Sequence, residues 1–138
     1  PPYDPAVHDL YEGETVAEKE LSRVYDNLRQ AVQMGIGLTI GSDSFCSSLT
    51  PYGKTAIGEV IAFVEKAKLS PEYALTSATS IGAEMLKIDD VTGTLEKGKK
   101  ADFIVLNKNP LEDIRNLDRE NMTWIVKEGE VILSPSLI

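Results

Sequence analysis

Hydrophobic positions in the first ninety residues recur mainly at helical spacing. A stripe of this kind predicts a first helix that starts at Thr15 and is ended by Gly35, which permits a left-handed backbone. Its apolar positions are Leu21, Val24, Tyr25, Leu28, Ala31 and Val32. A second helix is indicated by Ile57, Val60, Ile61 and Val64. Ser70-Pro71-Glu72 has the cap, proline and acidic residue of a helix start, and predicts a third helix lined by Ala74, Ala78, Ile81 and Met85.

Shorter apolar runs predict strands. Residues 36–40 (Ile-Gly-Leu-Thr-Ile) are short, apolar and partly β-branched, which is typical of a buried strand in a parallel sheet. Further strands are predicted at 103–106 and 123–126, and a hairpin turn at 127–130 leads into a last run at 131–133. The chain is therefore predicted to be α/β over residues 1–89 and a small β unit over 90–138.

Composition excludes several classes of function. The formal net charge of −8 repels phosphate, so we expect neither a nucleic acid nor an anionic membrane surface as partner. No apolar run is long enough to span a bilayer. Cys46 is the one cysteine, so an internal disulfide is excluded, and a reducing cytoplasm suits the chain.

Asp43 is the candidate for chemistry. It follows the predicted strand at residues 36–40, and working groups of α/β folds lie just beyond the carboxyl ends of strands. A carboxylate there can bind a metal or accept a proton from water, although aspartate is also an ordinary turn former. His8, the one histidine, is predicted to be a solvated surface residue, and Cys46 a bystander thiol. Glutamates and lysines of the first two helices, Glu65 and Lys66 above all, are predicted to be solvated.

Five segments together resemble a known family. Gly-Ser-Asp at 41–43 is similar to the Gly-Thr/Ser-Asp that closes the last barrel strand in the amidohydrolase superfamily. Residues 69–86 resemble its L-T/S-P-E-E-A-L…A-T-x-N-x-A-x-x-L helix, and residues 93–106 its G-S/T-L/I-E-x-G-K-x-A-D-L/F-V-V-L stretch. Residues 109–114 resemble N/D-P-L-x-D-I, and 126–129 the closing V-x-x-G. The order is that of the family, and the branch that the motifs resemble contains imidazolonepropionases and Xaa-Pro dipeptidases.

The resemblance implies a fold and a reaction. It implies the C-terminal segment of a (β/α)₈ TIM-like barrel over 1–89, and the C-terminal share of a small β-sandwich over 90–138. It implies one or two divalent metals, usually zinc, and hydrolysis of a C–N bond in a small molecule or dipeptide by a metal-activated water. Asp43 matches the family residue that touches the metal and takes the proton of the water.

The resemblance also predicts that this stretch is incomplete as an enzyme. The family's His-x-His, its central Lys or Glu and its two later histidines have no counterpart here, and a (β/α)₈ barrel needs about 250 residues. The stretch alone is expected to lack hydrolytic activity and to self-associate. Two alternatives stay open: a non-catalytic scaffold or assembly module, and part of a deaminase or hydantoinase-like relative.

Overall fold

Helices come first and a small sheet comes last. A computed structural model describes residues 16–42 and 54–134, and the following elements lie within them. The helices are α1 (Val16–Gln33), α2 (Lys54–Glu65), α3 (Pro71–Ser77) and α4 (Ser80–Met85). The strands are β1 (Phe103–Leu106), β2 (Met122–Lys127) and β3 (Glu130–Leu133), and 3₁₀ turns form at Ile114–Leu117 and Arg119–Asn121.

The C-terminal end of α1 confirms the predicted role of Gly35. The Gly35 amide donates to the Val32 carbonyl and the Ile36 amide to the Ala31 carbonyl, each at 2.9 Å. This pair of bonds is a Schellman motif, and it requires a left-handed residue, which Gly35 supplies with φ of 81°. The chain is thereby turned from the helix axis into residues 36–42.

The third predicted helix is wrong as a single element, because it divides into α3 and α4. Its start is confirmed, since the Ser70 hydroxyl caps the Tyr73 amide at 3.2 Å and Pro71 is the first helical residue. The break falls at Thr79, whose backbone is not helical (φ −127°, ψ −92°). Its hydroxyl donates to the Leu75 carbonyl at 2.8 Å. Hydroxyl side chains compete in this way with the backbone bonds of a continuous helix.

The prediction of a buried strand at residues 36–40 is also wrong for the described structure. The segment belongs to no strand ladder, and Ile36 is 51% exposed, although Leu38, Thr39 and Ile40 are half-buried. Backbone polar groups need partners, and no neighbouring strand for this segment lies within 16–42 or 54–134. Side chains supply partners instead.

The core lies where α2, α3 and the first 3₁₀ turn meet. Its buried members are Val60, Phe63, Ala67, Leu69, Ala74 and Ile114. The apolar stripe of α1 contributes Tyr25, Leu28 and Val32 to this core, whereas Leu21 and Val24 are about half exposed. Arg29 anchors α1 to the same core, because its Nε donates to the Ala67 carbonyl at 2.9 Å.

The sheet is antiparallel, in the order β1-β2-β3, and confirms the predicted strands and hairpin. Glu128 and Gly129 both have positive φ, 52° and 84°, as a tight two-residue hairpin turn requires. Apolar side chains on the sheet are widely exposed, among them Ile104, Trp124 and Ile132 at 51%, 39% and 59%. The three strands therefore cover little of their own apolar surface.

None of the helices within the described ranges has the length and apolar character needed to cross a bilayer.

Candidate functional site

Asp43 itself lies outside the described residues, as do His8 and Cys46, so their predicted roles stay predictions. What the structure describes is the backbone that leads to Asp43, residues 36–42, together with the helices beneath it. We call residues 36–42 the approach segment. Its geometry decides how firmly the chain is held where it enters the Gly-Ser-Asp motif.

The middle of the approach segment is held by α3. The Leu38 amide donates to the Tyr73 hydroxyl at 3.0 Å, and the Ser77 hydroxyl donates to the Leu38 carbonyl. The Thr39 hydroxyl in turn donates to the Ser77 carbonyl at 3.3 Å. Ser77 is fully buried, so loss of its hydroxyl would leave the Leu38 carbonyl short of a partner, at a cost of about 1–3 kcal/mol. Two helix side chains thus form the hydrogen bonds with Leu38 that a neighbouring strand would otherwise provide.

The end of the approach segment is held by α2. The Gly41 amide donates to Glu59 Oε2 at 3.1 Å, and the Glu59 side chain is half-buried. A hydrogen bond to an ionised acceptor is stronger than one between neutral groups. This contact lies two residues before Asp43.

Small residues bring the approach segment close to α4. A Cβ placed on Gly37 would lie 3.5 Å from Ile81, and one placed on Gly82 would lie 3.1 Å from the Thr39 hydroxyl. A larger residue at Gly82 would therefore push the segment away from the helix. Close packing against α4 and side-chain hydrogen bonds from α2 and α3 therefore both hold the approach segment.

The described residues do not fit a metal ion by themselves. Across 16–42 and 54–134 no group of three or more His, Cys, Asp or Glu side chains could hold one. A catalytic zinc site needs about three protein ligands. If a metal is bound, its donors must therefore include residues other than those described, with Asp43 as the candidate that this sequence offers.

A second polar cluster lies at the hairpin of the sheet. The Asp102 carboxylate accepts the Glu128 amide at 2.5 Å and the Thr92 hydroxyl at 3.3 Å. The hydrogen bond from the Glu128 amide is the main reason that the pKa of Asp102 lies below its ordinary value. Lys100 bonds Glu128 at 2.8 Å, which lowers the pKa of Glu128 and raises that of Lys100. These contacts tie the hairpin turn to the residues before β1, so we interpret the cluster as structural.

Lys66 is exposed, as predicted, whereas two glutamates of α2 predicted to be solvated are half-buried and make specific contacts. Glu59 bonds the approach segment, and Glu65 forms a two-point ion pair with Arg115 at 2.6 and 2.8 Å. One signal for Glu59 was available, because it precedes the buried Phe63 by four residues and so shares its helix face. The partner, Gly41, is 18 residues away and no local pattern indicates it.

Comparison with known proteins gives the family to which this chain belongs. The model of the amidohydrolase family matches residues 11–132, nearly the whole chain. The chain belongs to the amidohydrolase family. The fold of its relatives is related to the TIM barrel. The described residues of this chain form helices and a three-stranded antiparallel sheet.

Three relatives indicate the branch. An imidazolonepropionase of Picrophilus torridus is 33% identical over 103 residues, which are 75% of this chain and 25% of that protein. An ochratoxinase of Aspergillus niger is 31% identical over 113 residues, 78% of this chain and 22% of that protein. A crystal structure of a Xaa-Pro dipeptidase with methionine bound in its active site superposes with a TM-score of 0.69 at 32% identity, covering 80% of this chain and 26% of that one. The resemblance to imidazolonepropionases and Xaa-Pro dipeptidases is thus confirmed.

The chain spans about a quarter of the length of these relatives.

Proposed function

We propose that this chain supplies the C-terminal share of a hydrolase that cleaves C–N bonds in amides, peptides or cyclic amides. The observation that carries the proposal is the family match over residues 11–132, joined to a Gly-Ser-Asp motif whose approach is held by α2 and α3. Residues 1–89 would belong to the barrel and residues 90–138 to a β-sandwich. The lone cysteine suits a cytoplasmic enzyme.

Asp43 is the residue to which we assign the proton transfer. An oxygen of water forms a bond to the carbonyl carbon while the Asp43 carboxylate accepts a proton from that water. The proton then passes to the nitrogen as the C–N bond breaks, so that an acid and an amine leave. Transfer by a positioned side chain contributes about 10²–10⁴-fold to such a rate.

Divalent metal, zinc by preference and one or two ions in number, belongs to this proposal. Support comes from the family, whereas the described residues hold no sufficient donor set. The preferred substrates are dipeptides and other amino-acid derivatives, because the relatives include a Xaa-Pro dipeptidase and an imidazolonepropionase.

The test compares Asp43→Asn with Asp89→Asn in the complete protein that carries this sequence. Asp89 is an exposed turn residue, so its variant removes the same charge elsewhere. The probes are a Xaa-Pro dipeptide, ochratoxin and imidazolonepropionate, each assayed with zinc and after chelation. We expect Asp43→Asn to lower kcat by about 10²–10⁴-fold and Asp89→Asn to leave it unchanged.

Near-normal turnover by Asp43→Asn would remove Asp43 from the mechanism. Release of ammonia in place of an acid and an amine would favour a deaminase instead. Absence of both turnover and bound metal would favour a scaffold. The 138-residue chain alone is expected to show no turnover, and zinc-dependent hydrolysis by it would contradict the incomplete-site prediction.

A further inference from the structure

Among the described residues, one side-chain contact to Gly41 stands out, the bond from its amide to Glu59. Its amide donates to the Glu59 carboxylate at 3.1 Å, and the residue is otherwise exposed. A Cβ placed on Gly41 would meet nothing within 4 Å, so packing does not fix this position. Glycine has the widest choice of backbone conformations of any residue. The bond to Glu59 therefore restricts the backbone at Gly41, two residues before Asp43 in the sequence.

Glu59 has no competing cation among the described residues. No lysine or arginine of 16–42 or 54–134 forms an ion pair with it, in contrast to Glu65, which is engaged by Arg115. Its carboxylate is therefore available to the Gly41 amide. The acceptor is an acidic side chain at 3.1 Å, whereas the bonds at Leu38 farther upstream involve the hydroxyls of Tyr73 and Ser77.

The three side-chain bonds to the approach segment differ in where they act. Tyr73 and Ser77 both hold Leu38, five residues before Asp43. Glu59 holds Gly41, inside the Gly-Ser-Asp motif itself. Loss of the bonds at Leu38 is expected to cost stability, whereas loss of the bond at Gly41 removes a constraint inside the Gly-Ser-Asp motif.

We infer that Glu59 is a positioning residue for Asp43: by accepting the Gly41 amide, its carboxylate fixes the backbone from which Asp43 follows. The inference rests on the proposed function for its catalytic consequence. The proton transfer at Asp43 needs a carboxylate aligned with its water, and a misplacement of about 1 Å can lower a rate about 10²-fold. Glu59 itself takes no part in bond making.

The experiment uses the complete protein and three variants, Glu59→Ala, Glu59→Gln and Tyr73→Phe. Glutamine keeps an oxygen acceptor, alanine removes it, and Tyr73→Phe is a matched control that removes a bond to the same segment. The first readout is the exchange rate of the Gly41 amide, followed by selective ¹⁵N-glycine labelling. We expect exchange about tenfold faster in Glu59→Ala and near wild type in the other two variants.

The second readout is kcat and KM for the three probes named above. We expect Glu59→Ala to lose about 10–10²-fold in kcat with little change in KM. Glu59→Gln should recover most of this loss, and Tyr73→Phe should lose less in kcat than Glu59→Ala while lowering thermal stability. Recovery by glutamine separates positioning of the backbone from a need for the charge of Glu59.

Several outcomes would overturn the inference. Unchanged Gly41 exchange in Glu59→Ala would show that the bond does not hold the turn. Faster exchange with wild-type kcat would show that the turn does not position the chemistry. If Glu59→Ala is impaired but Asp43→Asn is active, the proposed function fails instead. A wild-type protein inactive on all probes counts against both proposals, because there is then no reaction for Glu59 to support.

Discussion

Replacement of Gly93 by alanine is a sharp test of how α4 is packed. Gly93 has φ of 92°, and a Cβ built there would lie 2.5 Å from the Ala83 Cβ. It would also lie 3.3 Å from both the Ser80 Cα and the Thr79 carbonyl oxygen. No relaxation of a flexible side chain can relieve these contacts, because all three atoms belong to the backbone or to a Cβ. Helix α4 or residues 92–94 must therefore move.

The loss in free energy of unfolding expected for Gly93→Ala has two parts, and the variant Gly98→Ala measures one of them alone. Gly98 has a similar φ of 100°, but a Cβ there would meet nothing within 4 Å. Gly98→Ala should thus cost the backbone term alone, about 1–2 kcal/mol. Gly93→Ala should cost the same term and an overpacking term of about 1–3 kcal/mol. Effects of a Gly→Ala change on the unfolded chain are common to both variants and cancel in the comparison.

The assay is urea unfolding of the 138-residue chain, with both variants at one concentration at which light scattering shows the same association state. Trp124, the one tryptophan, reports on the sheet by fluorescence, and far-ultraviolet circular dichroism reports on the helices. Coincident transitions would support a two-state free energy of unfolding. Equal losses in the two variants, within about 0.5 kcal/mol, would refute the tight contact with Ala83.

Three further predictions concern caps, charges and surfaces. Ser70→Ala should lower the free energy of unfolding by about 1 kcal/mol, because the Tyr73 amide loses its cap, and Ser70→Asp should restore it in the same urea titration. Acid should loosen the hairpin, because the pKa values of Asp102 and Glu128 are lowered in the folded chain. The stabilisation by these two carboxylates is complete above the ordinary carboxyl pKa. It is lost as the pH falls through the lowered pKa values of the folded chain. Trp124 fluorescence should show this loss, and Asp102→Asn should reduce it to the part that belongs to Glu128. The 138-residue chain should self-associate, because β1 and β3 each pair with β2 alone within the described sheet and expose apolar side chains, so a clean monomer by light scattering at micromolar concentration would contradict this.

Local signals predicted most of the secondary structure. The stop at Gly35, the cap at Ser70 and the turn at Glu128-Gly129 each depend on a few adjacent residues, and each was confirmed. Such features follow from backbone geometry and from hydrogen bonds that close within one turn. Sequence is sufficient wherever the partner of a residue lies next to it.

Contacts between residues far apart in the sequence explain the predictions that were wrong. Residues 36–40 have the composition of a buried strand, but a strand exists only with a neighbour, and side chains of α2 and α3 provide the bonds instead. The contact of Glu59 with Gly41 could not be predicted from local sequence, because the two residues are 18 positions apart. Asp43 was predicted from the motif, and its geometry stays a prediction.

Among the described residues, the side chains that bond the backbone of residues 38–41 all follow the Gly-Ser-Asp motif in the chain. Glu59, Tyr73 and Ser77 lie 18 to 39 residues after the backbone groups that they bind. These contacts hold the described backbone that leads into the Gly-Ser-Asp motif. The donors that would complete a metal site do not lie among the described residues, so two kinds of change should have separable effects. Substitutions in α2 should alter the placement of Asp43, and substitutions elsewhere in the complete protein should alter what surrounds it.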